Sequence, residues 1–148
     1  MQQFVLDYLD KLHFELLRSN RHKIELTRSW ASDFPSTPGI YIIRLGDTII
    51  YAGETGSIRG RLKDMTDTRN HTLRRSIGVK LYSSRPDFTK PSSKSKFCDA
   101  IEAELNKYIT SCMTLSFLPV DLGRKELEEK LIKMYSPEYN NKRLRITF

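Results

Sequence analysis

One carboxylate in the sequence lies where a helix should be apolar. Residues 123–135 repeat their apolar positions at helical spacing, and at about 100° per residue Leu127, Leu131 and Tyr135 share one stripe. Glu128 falls inside the same stripe. A carboxylate facing the core is costly unless it is paired, hydrogen-bonded or bound to a metal ion. Glu128 is therefore a candidate metal ligand, and an ion pair with an arginine from another element is the structural alternative.

A second candidate group is an arginine at the border of a shorter apolar stripe. Residues 58–66 align their apolar side chains along one helix face, and Arg61 flanks that face. Arg59 and Lys63 point away from it. Arg61 can therefore border the core and reach into a cleft, while its two neighbours face solvent.

Two tyrosines stand close to glycines in the preceding segment. The runs GIYII and TIIYAG are rich in β-branched residues and flank RLGD, which predicts a hairpin with a turn at Gly46-Asp47. Tyr41 and Tyr51 belong to these runs. Taken alone, they are ordinary strand residues whose hydroxyls lie at the rim of the core, and only Arg61 and Glu128 favour a chemical role for them.

Composition restricts the class of protein. The chain has 148 residues, of which 39% are apolar and 29% charged, as expected for one soluble globular domain. No apolar run reaches the roughly 20 residues of a membrane helix, and the first residues do not resemble a signal peptide. Cys98 and Cys112 form no C-x-x-C pair, so a structural zinc site is not expected. We therefore expect a cytoplasmic protein with two reduced thiols and no membrane partner.

The positive charge is concentrated in one segment. The formal net charge is +7, yet residues 58–96 alone carry eleven Lys or Arg and three acids, which leaves the rest of the chain at −1. A solvated face is the simplest interpretation of such a run. Because a single segment holds the whole excess, we favour a surface that contacts phosphates.

The pattern predicts a mixed arrangement of helices and strands. Helices are predicted at 3–18, 58–66, 70–81, 97–109 and 123–135, and strands at 39–45, 48–53, 113–120 and, as a short strand, within 22–30.

Five features together resemble the GIY-YIG nuclease family. Gly39-Ile40-Tyr41 and Tyr51-Ala52-Gly53 match the two name-giving triplets, with alanine replacing isoleucine in the second. Arg61 stands at the family's arginine, eight residues after Gly53. Glu128, followed by apolar residues three and four positions on, matches its glutamate, and Pro137-Glu138-Tyr139-Asn140 matches the closing proline and aromatic-asparagine pair. The resemblance spans roughly 37–141.

The resemblance implies hydrolysis of phosphodiester bonds in DNA. It implies one divalent metal, Mg²⁺ or Mn²⁺, held by Glu128, with Arg61 stabilising negative charge on the phosphorus. Tyr41 is the expected general base and Tyr51 the residue that orients water or phosphate. A phenol serves as a base only in a cationic site that favours the phenolate.

Further residues have supporting parts in this interpretation. Gly53 belongs to the second triplet, and Asn140 ties down the chain after the last helix, near the phosphate. The predicted DNA contacts lie on or beside the two helices after the motif: Arg59, Lys63, Arg69, Arg74 and Arg75.

Two positions depart from the family pattern. Met65 stands where many members carry histidine or tyrosine, and Glu54 stands where some carry lysine. A polar partner for Tyr41 must then come from His71 or Tyr51. The same departures support the alternative function, a catalytically weak or inactive nucleic-acid-binding module on the same fold, and a small interaction domain whose charge is only surface is a third reading.

The expected fold is α+β, with a small central antiparallel sheet of three strands flanked by helices, as in the GIY-YIG type. Residues 1–36 are expected to form an N-terminal extension on or beside the core, and 37–148 the catalytic domain. The helix at 3–18 can pack on the core or form a dimer contact, so the sequence leaves the oligomeric state open.

Overall fold

The computed structural model describes residues 2–140 and contains one antiparallel sheet. Its central hairpin joins β2 (Gly39–Leu45) to β3 (Thr48–Thr55) through Gly46, whose φ of 61° is readily adopted only by glycine. Pairing with β4 (Met113–Pro119) covers the other side of β2, and β1 (His22–Lys23) pairs with β4. The strand order is β1-β4-β2-β3. The prediction of three strands was wrong, because the N-terminal segment adds a fourth at the edge.

Six helices flank this sheet in the part of the chain that the structure describes. They are α1 (Gln3–Arg18), α2 (Arg28–Ser32), α3 (Ile58–Asp64), α4 (Thr72–Tyr82), α5 (Asp99–Cys112) and α6 (Arg124–Tyr135). The predicted helices are confirmed, with ends that differ by up to three residues. The α+β fold class is likewise confirmed.

The segment predicted as a short strand within 22–30 divides into a strand and a helix. Only two residues pair with β4, and Leu26 then takes a left-handed conformation with φ of 57° that ends the extended chain. The Thr27 hydroxyl accepts a hydrogen bond from the Trp30 amide at 3.0 Å and caps α2. This short helix buries Trp30 against the sheet, and the indole N–H donates to the Lys23 carbonyl.

Both faces of the sheet are covered. Tyr41 and Ile43 of β2 face a core formed with α2, α3, α4 and α5, whereas Ile40 and Ile42 face a second core formed with α1 and α6. This two-sided burial explains why the run GIYII is apolar throughout instead of alternating.

The N-terminal segment contributes to these same cores. Trp30 and Phe34 lie in the core of Tyr41, and Leu9 and Leu16 of α1 lie in the second one. The division at residue 36 stays a prediction. Within residues 2–140, no helix combines the length and apolarity needed to cross a bilayer.

Within residues 2–140, the outer edge of β3 is paired by groups that follow β4 in the chain and not by another strand. The Asn140 side chain accepts from the Ala52 amide at 2.8 Å and donates to the Ala52 carbonyl at 3.0 Å. The Tyr139 amide donates to the Ile50 carbonyl, and the Glu54 amide donates to Glu128. Alternate residues of β3 are thus paired along this edge, which places α6 and the following turn beside the hairpin.

Replacing Asn140 by alanine tests this edge. Asn140→Ala leaves the amide and the carbonyl of Ala52 buried without their partner, so we expect the free energy of unfolding to fall by about 2–4 kcal/mol in urea denaturation. Asn70→Ala, at an exposed position, is the control and should change it by less than about 0.5 kcal/mol. Equal stability of the two variants would show that the edge does not depend on Asn140.

Candidate active site

The two tyrosines lie on one face of the central hairpin. In the register of the hairpin, Tyr41 is opposite Gly53 and Ile43 is opposite Tyr51. The two tyrosine rings are both buried, and their centroids are 6.0 Å apart. The structure therefore brings Tyr41 and Tyr51 together, as a single site would require.

The glycines of both triplets make room for close contacts. A Cβ on Gly53 would lie 2.7 Å from the Tyr41 hydroxyl oxygen, and a Cβ on Gly39 would lie 2.6 Å from the Leu118 carbonyl oxygen and 2.8 Å from Ile58 Cδ1. Such distances exclude any side chain. Gly53 thus lets the Tyr41 ring lie against β3, and Gly39 lets α3 pack against β2.

Arg61 points from α3 toward the first tyrosine. Its Nε donates to the Tyr41 hydroxyl at 3.3 Å, and its Nη1 donates to the carboxylate of Asp64 at 3.3 Å and to the Asn70 carbonyl at 3.2 Å. About a quarter of the side chain is exposed. Burial opposes its charge, but Tyr41 and Tyr51 raise its pKa above the ordinary value, so the guanidinium stays protonated. The arginine predicted at the border of the core does reach the site.

His71 supplies the polar partner of Tyr41. The histidine caps α4, where its Nδ1 accepts from the Leu73 amide at 3.2 Å, and its Nε2 lies 3.3 Å from the Tyr41 hydroxyl. Burial, followed by the charges of Arg61, Arg74 and Arg75, holds the pKa of His71 well below its usual range. A neutral ring whose Nδ1 accepts must carry its proton on Nε2. His71 is therefore a donor to Tyr41.

Met65 is a core residue and makes no polar contact with Tyr41. Its side chain is fully buried in the core beneath the tyrosines. The sequence left His71 and Tyr51 as alternative partners of Tyr41, and both contact it: His71 Nε2 lies 3.3 Å from the hydroxyl, and a side-chain hydrogen bond with Tyr51 raises the pKa of Tyr41.

The phenol of Tyr41 is protonated in this environment. Burial is the largest effect and raises its pKa, and Tyr51 raises it further. Arg61 lowers the pKa of Tyr41, in the direction predicted from the sequence, but burial raises it by more. The expected phenolate depended on a metal ion together with the arginine, so the role of Tyr41 as general base stays a prediction.

Glu128 lies at the end of β3 and comes from α6, on the other face of the sheet from the two tyrosines. Its Oε2 accepts a hydrogen bond from the Glu54 amide at 2.7 Å, so the edge of β3 holds the carboxylate. This hydrogen bond offsets the desolvation cost of a carboxylate within an apolar stripe. It fixes the direction of Glu128 at the end of the strand that carries Tyr51 and Gly53.

The donor set fits a lightly coordinated hard cation. Among residues 2–140, no three His, Cys, Asp or Glu side chains gather as a ready-made metal site. Mg²⁺ is commonly bound through one or two carboxylates, with water and substrate phosphate completing its shell. A single oriented carboxylate such as Glu128 is compatible with that mode and not with a structural zinc centre.

Sequence reasoning missed one cation beside Glu128. Arg124 is the first residue of α6, and its Nη1 pairs with the Glu54 carboxylate at 3.4 Å and donates to the Thr55 carbonyl. Glu54 therefore joins two groups, because its amide holds Glu128 and its carboxylate holds Arg124. A cation at the start of a helix is opposed by the helix dipole, and that mismatch was a signal in the sequence.

The predicted DNA contacts differ in their availability. Lys63 is exposed, Arg69 is paired with Asp67 at 2.8 Å, and Arg75 donates to the carbonyls of Thr68 and Arg69. Arg59 is half-buried and donates to the Phe34 carbonyl at 2.8 Å.

Arg74 does not belong to this surface. Its side chain is 1% exposed, pairs with Glu102 at 2.7 Å and donates to Asn106 at 2.6 Å. It also donates to Thr68 Oγ1 and to the Met65 carbonyl. The prediction that Arg74 contacts DNA is corrected, because the residue ties α4 to α5 inside the protein.

Comparison with known proteins identifies the domain. The family model described as GIY-YIG catalytic domain matches residues 32–145. No curated protein matches the chain.

Among solved structures, the chain is similar to the GIY-YIG N-terminal endonuclease domain of UvrC from Thermotoga maritima bound to its catalytic divalent cation, magnesium. The identity is 18%, the TM-score is 0.39, and the match covers 95% of this chain and 99% of that one. A tyrosine-to-phenylalanine point mutant of the same domain is similar at 16% identity and a TM-score of 0.37, covering 95% and 98%.

A methyl group at Gly53 tests the packing of Tyr41. In Gly53→Ala the new Cβ would overlap the Tyr41 hydroxyl, so the ring must move away from Arg61 and His71. We expect a loss of about 1–3 kcal/mol in the free energy of unfolding, measured by denaturant titration. Gly60→Ala is the control, since a Cβ there meets only the Ser57 side chain at 3.3 Å and alanine favours the helix. A Gly53→Ala protein as stable as the control would contradict the assigned contact.

Proposed function

The chain belongs to the GIY-YIG catalytic domain family, and on that premise we propose that it is a metal-dependent endonuclease that hydrolyses phosphodiester bonds in DNA. One observation carries the proposal. The Tyr41 hydroxyl meets donors from both Arg61 and His71 at 3.3 Å, while Glu128 is held at the end of the neighbouring strand. A purely structural core has no need of this concentration of buried polar groups.

We assign the charge-stabilising role to Arg61. A phosphodiester gains negative charge on its non-bridging oxygens as water attacks, and a protonated guanidinium in a partly buried site stabilises that charge strongly. Because Arg61 is already oriented by Tyr41, Asp64 and the Asn70 carbonyl, little reorganisation is needed when the phosphate arrives.

Tyr41 is the proposed general base. Its phenolate would take the proton of the attacking water as the new P–O bond forms and the bond to the leaving oxygen breaks. The N–H groups of Arg61 and His71 both point at the phenol oxygen and stabilise its anionic form. Tyr51, whose ring lies beside both Tyr41 and His71, is proposed to orient the water or the phosphate.

Glu128 is the proposed ligand of Mg²⁺ or Mn²⁺. Such an ion would neutralise charge on the phosphate and lower the pKa of a bound water. The protein would contribute by holding the Glu128 carboxylate in a fixed direction, through its hydrogen bond from the Glu54 amide. In this proposal Gly53 and Asn140 have indirect roles, since one makes room for Tyr41 and the other anchors the edge of β3.

A nucleic-acid-binding module without turnover is the second candidate. Buried Met65 and the acidic Glu54 favour it, because neither supplies a proton-transferring or cationic group where the family often has one. The polar partner that Met65 lacks is present as His71, which is why we favour the enzyme. The cytoplasmic location and the oligomeric state stay predictions.

Plasmid nicking separates these two functions. We expect supercoiled DNA to be nicked with Mg²⁺ and not with EDTA, and we expect Glu128→Ala and Arg61→Ala each to lower the rate by about 100-fold or more. Glu129→Ala, the exposed neighbour on α6, should nick at the wild-type rate. Wild-type protein that binds DNA and never cuts it, with Mg²⁺ or Mn²⁺, would favour the binding module.

The pH dependence of nicking tests His71. Because the active form of Tyr41 is the phenolate and its pKa is raised, the rate should rise with pH from neutral to alkaline conditions. His71→Asn keeps a side chain that caps α4 but removes the Nε2 donor, so the pKa of Tyr41 rises further. We expect a rate about tenfold lower at neutral pH and a profile displaced to higher pH.

A structural role for His71 would give a different result. His71→Asn would then lower the residual nicking rate of a Tyr41→Phe protein by the same factor as it lowers the wild-type rate. Our assignment predicts that His71→Asn has no further effect on the rate in the Tyr41→Phe background, because the acceptor of its hydrogen bond is gone.

A further inference from the structure

Partly buried Arg124 and exposed Gly56 form a ledge beside Glu128. Arg124 precedes Glu128 by one helical turn, so both side chains leave α6 on the same side. The guanidinium extends over the turn between β3 and α3, where Nη1 meets the Thr55 carbonyl and the Glu54 carboxylate. The ledge therefore lies between the proposed metal ligand and the helix that carries Arg61.

Stability does not account for this arginine. A cation at the first residue of a helix is disfavoured by the helix dipole. The side chains of Arg124 and its partner Glu54 are each about one-quarter exposed to solvent, and ion pairs in contact with solvent contribute little to stability. Both of its contacts within residues 2–140 use Nη1. A guanidinium carries five N–H donors, so the group is anchored at one end and keeps donor capacity.

The ledge is open to a ligand at Gly56. This glycine is exposed and joins Thr55 to Ser57, the residue that caps α3. A Cβ built on Gly56 would have Arg124 Nη1, at 4.0 Å, as its nearest neighbour. A ligand can thus approach the peptide closely, beside the anchored Nη1 end of the guanidinium, and the other donors of this group are the ones available to it.

We propose that Arg124 binds a backbone phosphate of DNA next to the phosphate that is cleaved. The proposal rests on the proposed nuclease function, since the occupant of the central site would be the cleaved phosphate. Arginine suits a phosphate because it presents two parallel N–H donors, and the anchors at Glu54 and Thr55 reduce the freedom lost on binding. The contact reads no sequence and fixes the position of the strand over Glu128.

The test measures DNA binding without cleavage. A fluorescein-labelled DNA duplex is titrated in EDTA at a series of salt concentrations and followed by anisotropy. The variants are Arg124→Gln, which keeps an amide donor for the Thr55 carbonyl, and Lys125→Gln, which removes the same charge from the exposed neighbour. We expect Arg124→Gln to weaken binding about tenfold and to reduce the slope of log K against log salt by about one, with a clearly smaller change for Lys125→Gln.

Defined outcomes overturn the proposal. Equal losses in Arg124→Gln and Lys125→Gln would mean that only net charge matters, and wild-type protein that does not bind DNA would also refute it. Arg124→Lys guards against a folding defect: it should keep the wild-type salt slope with weaker binding, and a slope reduced like that of Arg124→Gln would refute the contact. Wild-type protein that binds but never nicks plasmid would overturn the nuclease function and leave the Arg124 contact standing.

Discussion

The free edge of β3 is the constraint on which the site depends. The strand pairs with β2 on one side, and its outward amides and carbonyls need partners on the other. Residues after position 120 provide them, through Glu128, the Tyr139 amide and the Asn140 side chain. The need to pair this edge therefore places the last described residues beside the hairpin. Glu128, the candidate metal ligand, is one of the groups that pair it.

The same edge allows groups from both faces of the sheet to meet. Tyr41 and Tyr51 face the core under α3 and α4, whereas Glu128 comes from α6 on the other face. Only at an edge strand can side chains from the two layers approach one strand end. Burial keeps the phenol of Tyr41 protonated and His71 neutral, so the proposed proton transfer depends on the groups around the phenol oxygen.

Local patterns in the sequence predicted most elements and several candidate groups. The helical period exposed Glu128 as a misplaced carboxylate, and the arginine at the border of an apolar stripe does contact Tyr41. Contacts between distant segments were beyond such patterns. Arg74 looked like part of a basic surface because its partner, Glu102, lies twenty-eight residues away. A short strand was predicted within 22–30, but its addition to the sheet required knowledge of where β4 leaves an open edge.

Metal binding at the edge of β3 is the most direct test of the central claim, that Glu128 holds a divalent ion beside the tyrosine pair. Mn²⁺ added to ¹⁵N-labelled protein broadens the amide signals closest to the bound ion. We predict that the Glu54 amide, hydrogen-bonded to Glu128, is broadened at the lowest Mn²⁺ concentrations, and that Glu128→Gln abolishes the effect. Broadening centred on another acidic surface, or unchanged in Glu128→Gln, would contradict the account.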